Sequence, residues 1–258
     1  MSLEVYPSLR QLQQGAAWHA VNRTCEDALQ TASCDSFIPS PIANHFRYFP
    51  AGTLFLQFQF TLISPYLSKG DEVVAASPQT IAREWVYRRP WVRPSTWKGR
   101  LRYVANLINP GEPVIEAFGP DKESKSEGRL HFFPSFFNET NSHVVFNPHN
   151  RRARKGTVPV SPHVVRAGQS ATFSVLYLGR GEAQGVEQAR LLFPLVCDWL
   201  QLLFTIHGIG AKTLKGFGLA RNQILNSRLY NRHVSYNLQN LDKLSELRAR
   251  IEGAQPWA

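Results

Sequence analysis

Gly208-Ile209-Gly210-Ala211-Lys212-Thr213-Leu214-Lys215-Gly216-Phe217-Gly218 is the stretch on which the reading of this chain turns. Four glycines in eleven residues let a backbone take positive φ and lie against another backbone where a Cβ would collide. Lys212, Lys215 and the Thr213 hydroxyl supply charge and a donor suited to phosphate. Spacing excludes two familiar phosphate loops. A Walker A loop needs Gly directly before its Lys, where Ala211 stands; a dinucleotide fingerprint needs Gly three residues after the second, where Thr213 stands. Both of those loops follow a strand, whereas this one follows a helix-like apolar run from Val186 to Phe204, with Pro194 as a kink or late first turn. Without a ligand, the same residues read as a helix stop and turn.

Working outward, a strand is predicted near Phe217–Leu225 and a terminal helix near Leu241–Ile251. Upstream, Thr53 to Ser64 alternates. Leu54, Leu56, Phe58, Phe60 and Leu62 share one face, and Gln57, Gln59 and Thr61 the other. A loop of roughly thirty residues follows, long enough to suggest function. Ser95 then reads as the N-cap of a helix. Gly119 to Gly128 reads as a surface loop, and strand-like runs follow at Arg129–Phe133, His143–Phe146 and Ala171–Leu178. Strand, helix, strands, helix, strand is the order of a βαββαβ unit with insertions. The fold class is therefore α+β, with a ferredoxin-like core over residues 46–258 behind a leader of residues 1–45.

Charge narrows the function. The 258 residues carry 29 Lys and Arg against 19 Asp and Glu, a net charge of +10 that favours a polyanionic partner. No acid occurs from Thr140 to Gly181 or from Trp199 to Leu241, and Arg83 to Arg102 holds seven bases against Glu84 alone. Whole stretches without carboxylates suit a surface that follows a phosphate backbone. Within them stand two further motifs. Arg93-Pro94-Ser95-Thr96-Trp97-Lys98-Gly99-Arg100-Leu101-Arg102 opens a helix whose free amides favour an anion, with Lys98 and Arg102 on one face. Gly99 is costly there unless something packs closely on it. Arg151, Arg152, Arg154 and Lys155 form a basic loop. Trp85, Tyr87 and Trp91 are candidate stacking platforms for unpaired bases.

Other classes fit less well. Three cysteines without CxxC spacing argue against a disulfide framework or structural zinc. The N-terminus lacks the pattern of a signal peptide. The apolar run Leu191–Ile206 is short and interrupted for a bilayer span. A cytoplasmic protein with no membrane partner is expected.

Together the motifs resemble the RAMP superfamily of CRISPR-associated proteins, which are built on ferredoxin-like domains. Gly208, Gly210, Gly216, Phe217 and Gly218 match its G-x-G-x(5)-G-F-G loop. Arg93 to Arg102 resembles a P-x-S-S-x-K-G-x-x-R helix opening, with Arg93 for Pro and Thr96 for the second Ser. Gly128 to Phe133 resembles a following G-R-L-x-F-F strand. The resemblance implies an RNA-binding subunit of a type III effector complex. Its partners would be CRISPR RNA, target RNA and other RAMP subunits. The RNA-binding residues would be Arg93, Ser95, Thr96, Lys98, Gly99, Arg100, Arg102, Arg151, Arg152, Arg154, Lys155, Gly208, Gly210, Lys212, Thr213, Lys215, Gly216, Phe217 and Gly218. Some relatives cut target RNA with an Asp between the first strand and first helix. Asp71 is the candidate here, and a divalent metal would enter only with such cleavage. A precursor-processing endoribonuclease of the same superfamily and a generic RNA-binding protein are the alternatives.

Overall fold

The computed structural model describes residues 48–68, 81–84, 89–120, 127–138, 142–147, 149–150, 155–156, 159–181, 183–230, 235–236, 239–242 and 244. In chain order the elements are β1 (Leu54–Thr61), β2 (Trp91–Val92), α1 (Pro94–Ile108), α2 (Glu112–Phe118), β3 (Leu130–Phe132), β4 (Ser135–Phe136), β5 (Ser142–His143), β6 (His149–Asn150), β7 (Lys155–Gly156), β8 (His163–Val164), β9 (Ser170–Tyr177), α3 (Ala183–Leu202), β10 (Leu225–Tyr230) and β11 (Ser235–Tyr236).

The main sheet runs β11-β10-β1-β9-β3, every pairing antiparallel. β9 lies between β1 and β3, which α1 connects. β1 lies between β9 and β10, which α3 connects. Two split βαβ units thus interleave, which is the ferredoxin-like arrangement the sequence predicts. The alternation of β1 explains its central place. Leu54, Leu56, Phe58 and Phe60 are fully buried under the helices, while Gln57, Gln59 and Thr61 are half-buried on the other face. Phe55 departs from that polar face: it is buried between Phe133 and Tyr230.

Beneath the helices, Phe58, Phe60, Trp97, Phe173 and Phe204 pack mostly edge-on or tilted, with centroids 4.8–5.8 Å apart. Aromatic rings prefer such offset contacts, and each full burial is worth roughly 2–3 kcal/mol. Between β4 and β9 the chain inserts two short ribbons, β5–β8 and β6–β7.

Several expectations need correction. Ser95 is not the N-cap. Pro94 occupies the first helical position, where a missing N–H costs nothing, and forces Arg93 into extended backbone (φ −67°, ψ 149°) as the cap. Pro194 sits inside α3 and is buried. The strand after the glycine turn starts at Leu225, not Phe217. Between them, backbone groups are committed elsewhere: Ala220 N donates to Phe204 O, Arg221 N to Thr61 O and Ile63 N to Leu219 O. Of the expected terminal helix, only Leu241, Asp242 and Leu244 are described. Of the expected loop 119–128, residues 121–126 lie outside the described residues.

α3 continues into a π-helical turn, Leu203–His207. The 25-residue span Ala183–His207 is long and apolar enough, by length and composition, to cross a bilayer, more than the run Leu191–Ile206 suggests. Its buried residues, among them Phe193, Val196, Trp199 and Leu200, belong to the core instead.

Candidate nucleic-acid interface

The helix α1 has two distinct faces. Trp97, Leu101, Val104 and Ala105 point into the core, where Trp97 Nε1 donates to Ser135 Oγ at 3.1 Å. Ser95, Lys98 and Gly99 are exposed and Arg102 half-buried, so the polar residues of the motif share the outward face. A Cβ on Gly99 would meet nothing within 4 Å. Close packing that would account for a glycine there does not come from the described residues of this chain.

Arg100 stands between the two faces and reaches the glycine turn. Its Nε donates to Gly208 O at 3.3 Å. Its Nη2 donates to His207 O at 3.1 Å, Gly208 O at 3.1 Å and Thr213 Oγ1 at 3.2 Å. These carbonyls end the helix. The π turn leaves them without helical donors, and a cation there satisfies both the bonds and the dipole. Burial pushes the Arg100 pKa down, and the charge of an ionised Tyr103 opposes that; the guanidinium carbon lies 5.2 Å from the Tyr103 ring centroid.

The turn itself is stitched to the chain leaving β1. Gly218 N donates to Pro65 O, Ala211 N to Leu67 O and Ile209 N to Gly218 O. Gly208, Gly210 and Gly218 all have positive φ, and a Cβ on any of them would fall 2.0–2.4 Å from a carbonyl oxygen of this chain. The other backbone that these glycines lie against is the protein's own. Gly216 differs, with φ 78° and open space where a Cβ would stand. Around it Lys212, Leu214 and Lys215 are exposed, and Phe217 packs on Phe146 with centroids 5.6 Å apart.

A cleft of about 250 Å³ lies where the two motifs meet, lined by Tyr66, Ser68, Ala82, Trp91, Arg93, Thr96, Gly210 and Ala211. Trp91 is stacked on Phe136 at 6.1 Å and 17°, and its Nε1 is buried without a hydrogen-bond partner among the described residues. The Arg93 guanidinium lies 5.9 Å from the Trp91 ring centroid. Tyr66 donates its hydroxyl to Trp91 O at 3.1 Å, and burial pushes its pKa up to about 12.

The fold therefore brings the first and second motifs together. The third is not placed beside them: Arg151, Arg152 and Arg154 lie outside the described residues, as do Asp71, Trp85 and Tyr87, and Lys155 falls in β7. Half-buried Arg129 and exposed Arg180 pair with Glu116, at 3.4 and 3.2 Å. Sequence reasoning missed Tyr66, Ser68 and Phe146. Phe146 alone carried a signal, as the end of a strand-like run inside an acid-free stretch.

A family model of the RAMP superfamily matches residues 59–221. The chain belongs to the RAMP superfamily. No curated protein matches it. Among solved structures, this RAMP protein is similar to a chain of the type III-B Cmr-beta assembly bound to cognate target RNA. Identity is 14%, TM-score 0.52, and the match covers 83% of this chain and 75% of that one. It is also similar to a chain of the Csm3–Csm4 subcomplex of the type III-A CRISPR-Cas interference complex, at 14% identity and TM-score 0.50, covering 80% of this chain and 99% of that one.

Proposed function

We propose that this RAMP protein is an RNA-binding subunit of a type III CRISPR effector ribonucleoprotein that grips CRISPR RNA and helps position target RNA. One observation carries the reading: α1 and the glycine turn are locked together by Arg100, and both elements carry exposed lysine. Lys98 comes from the helix, Lys212 and Lys215 from the turn, and none is ion-paired among the described residues. Arg102 extends the helix side. A ribose-phosphate strand laid over this junction exchanges counterions for fixed ammonium groups. Family membership and the two type III neighbours support the same reading. Other RAMP subunits are its proposed neighbours and the cytoplasm its location. The grip needs no cofactor, and a divalent metal belongs only to target cleavage.

The test is binding of the full chain to single-stranded RNA over a salt series. About five phosphate contacts give a slope of log affinity against log salt near −3.5. A Lys98→Ala/Arg102→Ala variant should lower the magnitude of that slope by about 1.4. A flat salt response overturns the reading. Short RNAs sharing a repeat-derived 5′ tag, recovered with the protein from cells, support the effector role; ribosomal RNA would overturn it in favour of a generic binder.

A further inference from the structure

The insertion that carries the β5–β8 ribbon reaches the glycine turn at Phe146. Phe146, which bridges to Val160 across the insertion, meets Phe217 with ring planes 41° apart. Lys212 Nζ lies 5.9 Å and Lys215 Nζ 5.4 Å from the Phe146 centroid. Lys212 caps a single 3₁₀ turn and Lys215 ends it. Lys212 is left-handed (φ 59°) at that cap, and both ammonium groups converge on the same ring. An aromatic face attracts each ammonium. Nothing on the described chain neutralises the pair.

This is also where the two carboxylate-free stretches meet. Phe146 comes from the one between Thr140 and Gly181, and Lys212 to Phe217 from the one between Trp199 and Leu241. The two cations repel, so an arrangement that gathers them and keeps acids away favours an anion between them.

We infer that Lys212 and Lys215, held over the Phe146 ring, form one phosphate-binding subsite of the RNA surface. Phe146 is its positioning residue. The inference rests on the RNA-binding reading and adds to it a working part from the insertion. Phe146→Leu keeps apolar bulk against Phe217 and removes the π face. Phe146→Tyr keeps both.

The full chain is first examined without RNA, by the NMR shifts of the lysine ε-methylenes, and then with a single-stranded RNA oligonucleotide over a salt series. Lys212→Ala/Lys215→Ala should reduce the magnitude of the salt slope by about 1.4, two contacts' worth. Phe146→Leu should release the ε-methylene shifts, weaken RNA binding roughly fivefold and move the slope toward that of the double lysine variant. Phe146→Tyr should restore all three. Unchanged shifts and slope in Phe146→Leu, or equal loss in Phe146→Tyr, overturn the inference. Should the native chain bind no RNA, the reading above fails by itself. Inorganic pyrophosphate then decides the subsite: perturbation of the Lys212 and Lys215 resonances in the native chain but not in Phe146→Leu supports it, and no response overturns it.

Discussion

Arg100 contacts the carbonyl oxygen of Gly208 twice, through Nε at 3.3 Å and Nη2 at 3.1 Å. With His207 O and Thr213 Oγ1 also engaged, this guanidinium holds a helix end, a left-handed glycine and the far side of the turn in one fork. A lysine could not reproduce that planar set of donors.

Arg100→Ala should destabilise the protein by about 2–3 kcal/mol, because partly buried carbonyls lose charged donors. Amides of residues 210–216 should exchange hydrogen faster. Arg100→Lys should recover only part of the loss. Denaturant midpoints and hydrogen exchange check this, and native values for both would remove Arg100 from the anchoring role.

Gly216 and Gly218 separate conformation from packing. Both have positive φ, but a Cβ at Gly218 falls 2.0 Å from Ile209 O while one at Gly216 meets open space. Gly216→Ala should cost about 1–2 kcal/mol, the left-handed strain alone. Gly218→Ala should cost at least about 3 kcal/mol, since a carbonyl must also move. Equal urea midpoints would contradict the difference.

Ser135→Ala should cost about 1–3 kcal/mol, because it leaves the buried Trp97 Nε1 without its acceptor. Trp97→Phe in the same background should then cost less than in the native chain. The double-mutant cycle measures the coupling, and strict additivity would deny it.

Alkaline pH should destabilise the protein in part through Tyr66, alongside Tyr177, whose pKa burial also raises to about 12, and the buried Cys197 thiol, which burial pushes up. Burial raises the folded-state pKa of Tyr66 from 10.0 to about 12. The folded state therefore keeps a proton the unfolded state loses. The stability from this group is whole below pH 10 and falls as pH rises toward 12, by about 3 kcal/mol. Tyr66→Phe should flatten that part of the pH–stability curve. An unchanged curve would mean another group controls it.

Local pattern made part of this molecule legible before its structure. The alternation in β1 identifies the buried face because strand side chains point to opposite sides by geometry alone. The element order suffices for the ferredoxin-like class, since few topologies accommodate it. The helix start was misread because Ser95 looks like a cap when read alone, whereas the steric demand of Pro94 on Arg93 decides the matter. The strand at Leu225 was placed too early because the backbone of residues 217–224 bonds to distant segments that no local signal reveals. The Arg100 fork joins residues 108 apart, and its position is one the family motif leaves unspecified. Phe146 and the lysines converge only through the insertion's path. Backbone proximity at the glycines was legible in the motif, and at Gly208, Gly210 and Gly218 the approaching backbone is the protein's own.

Among the described residues the main sheet ends in β3, three residues long, and β11, two residues long. Borders so brief offer a neighbouring molecule few open amides and carbonyls to extend as an additional strand. Side-by-side stacking into fibres is thereby discouraged.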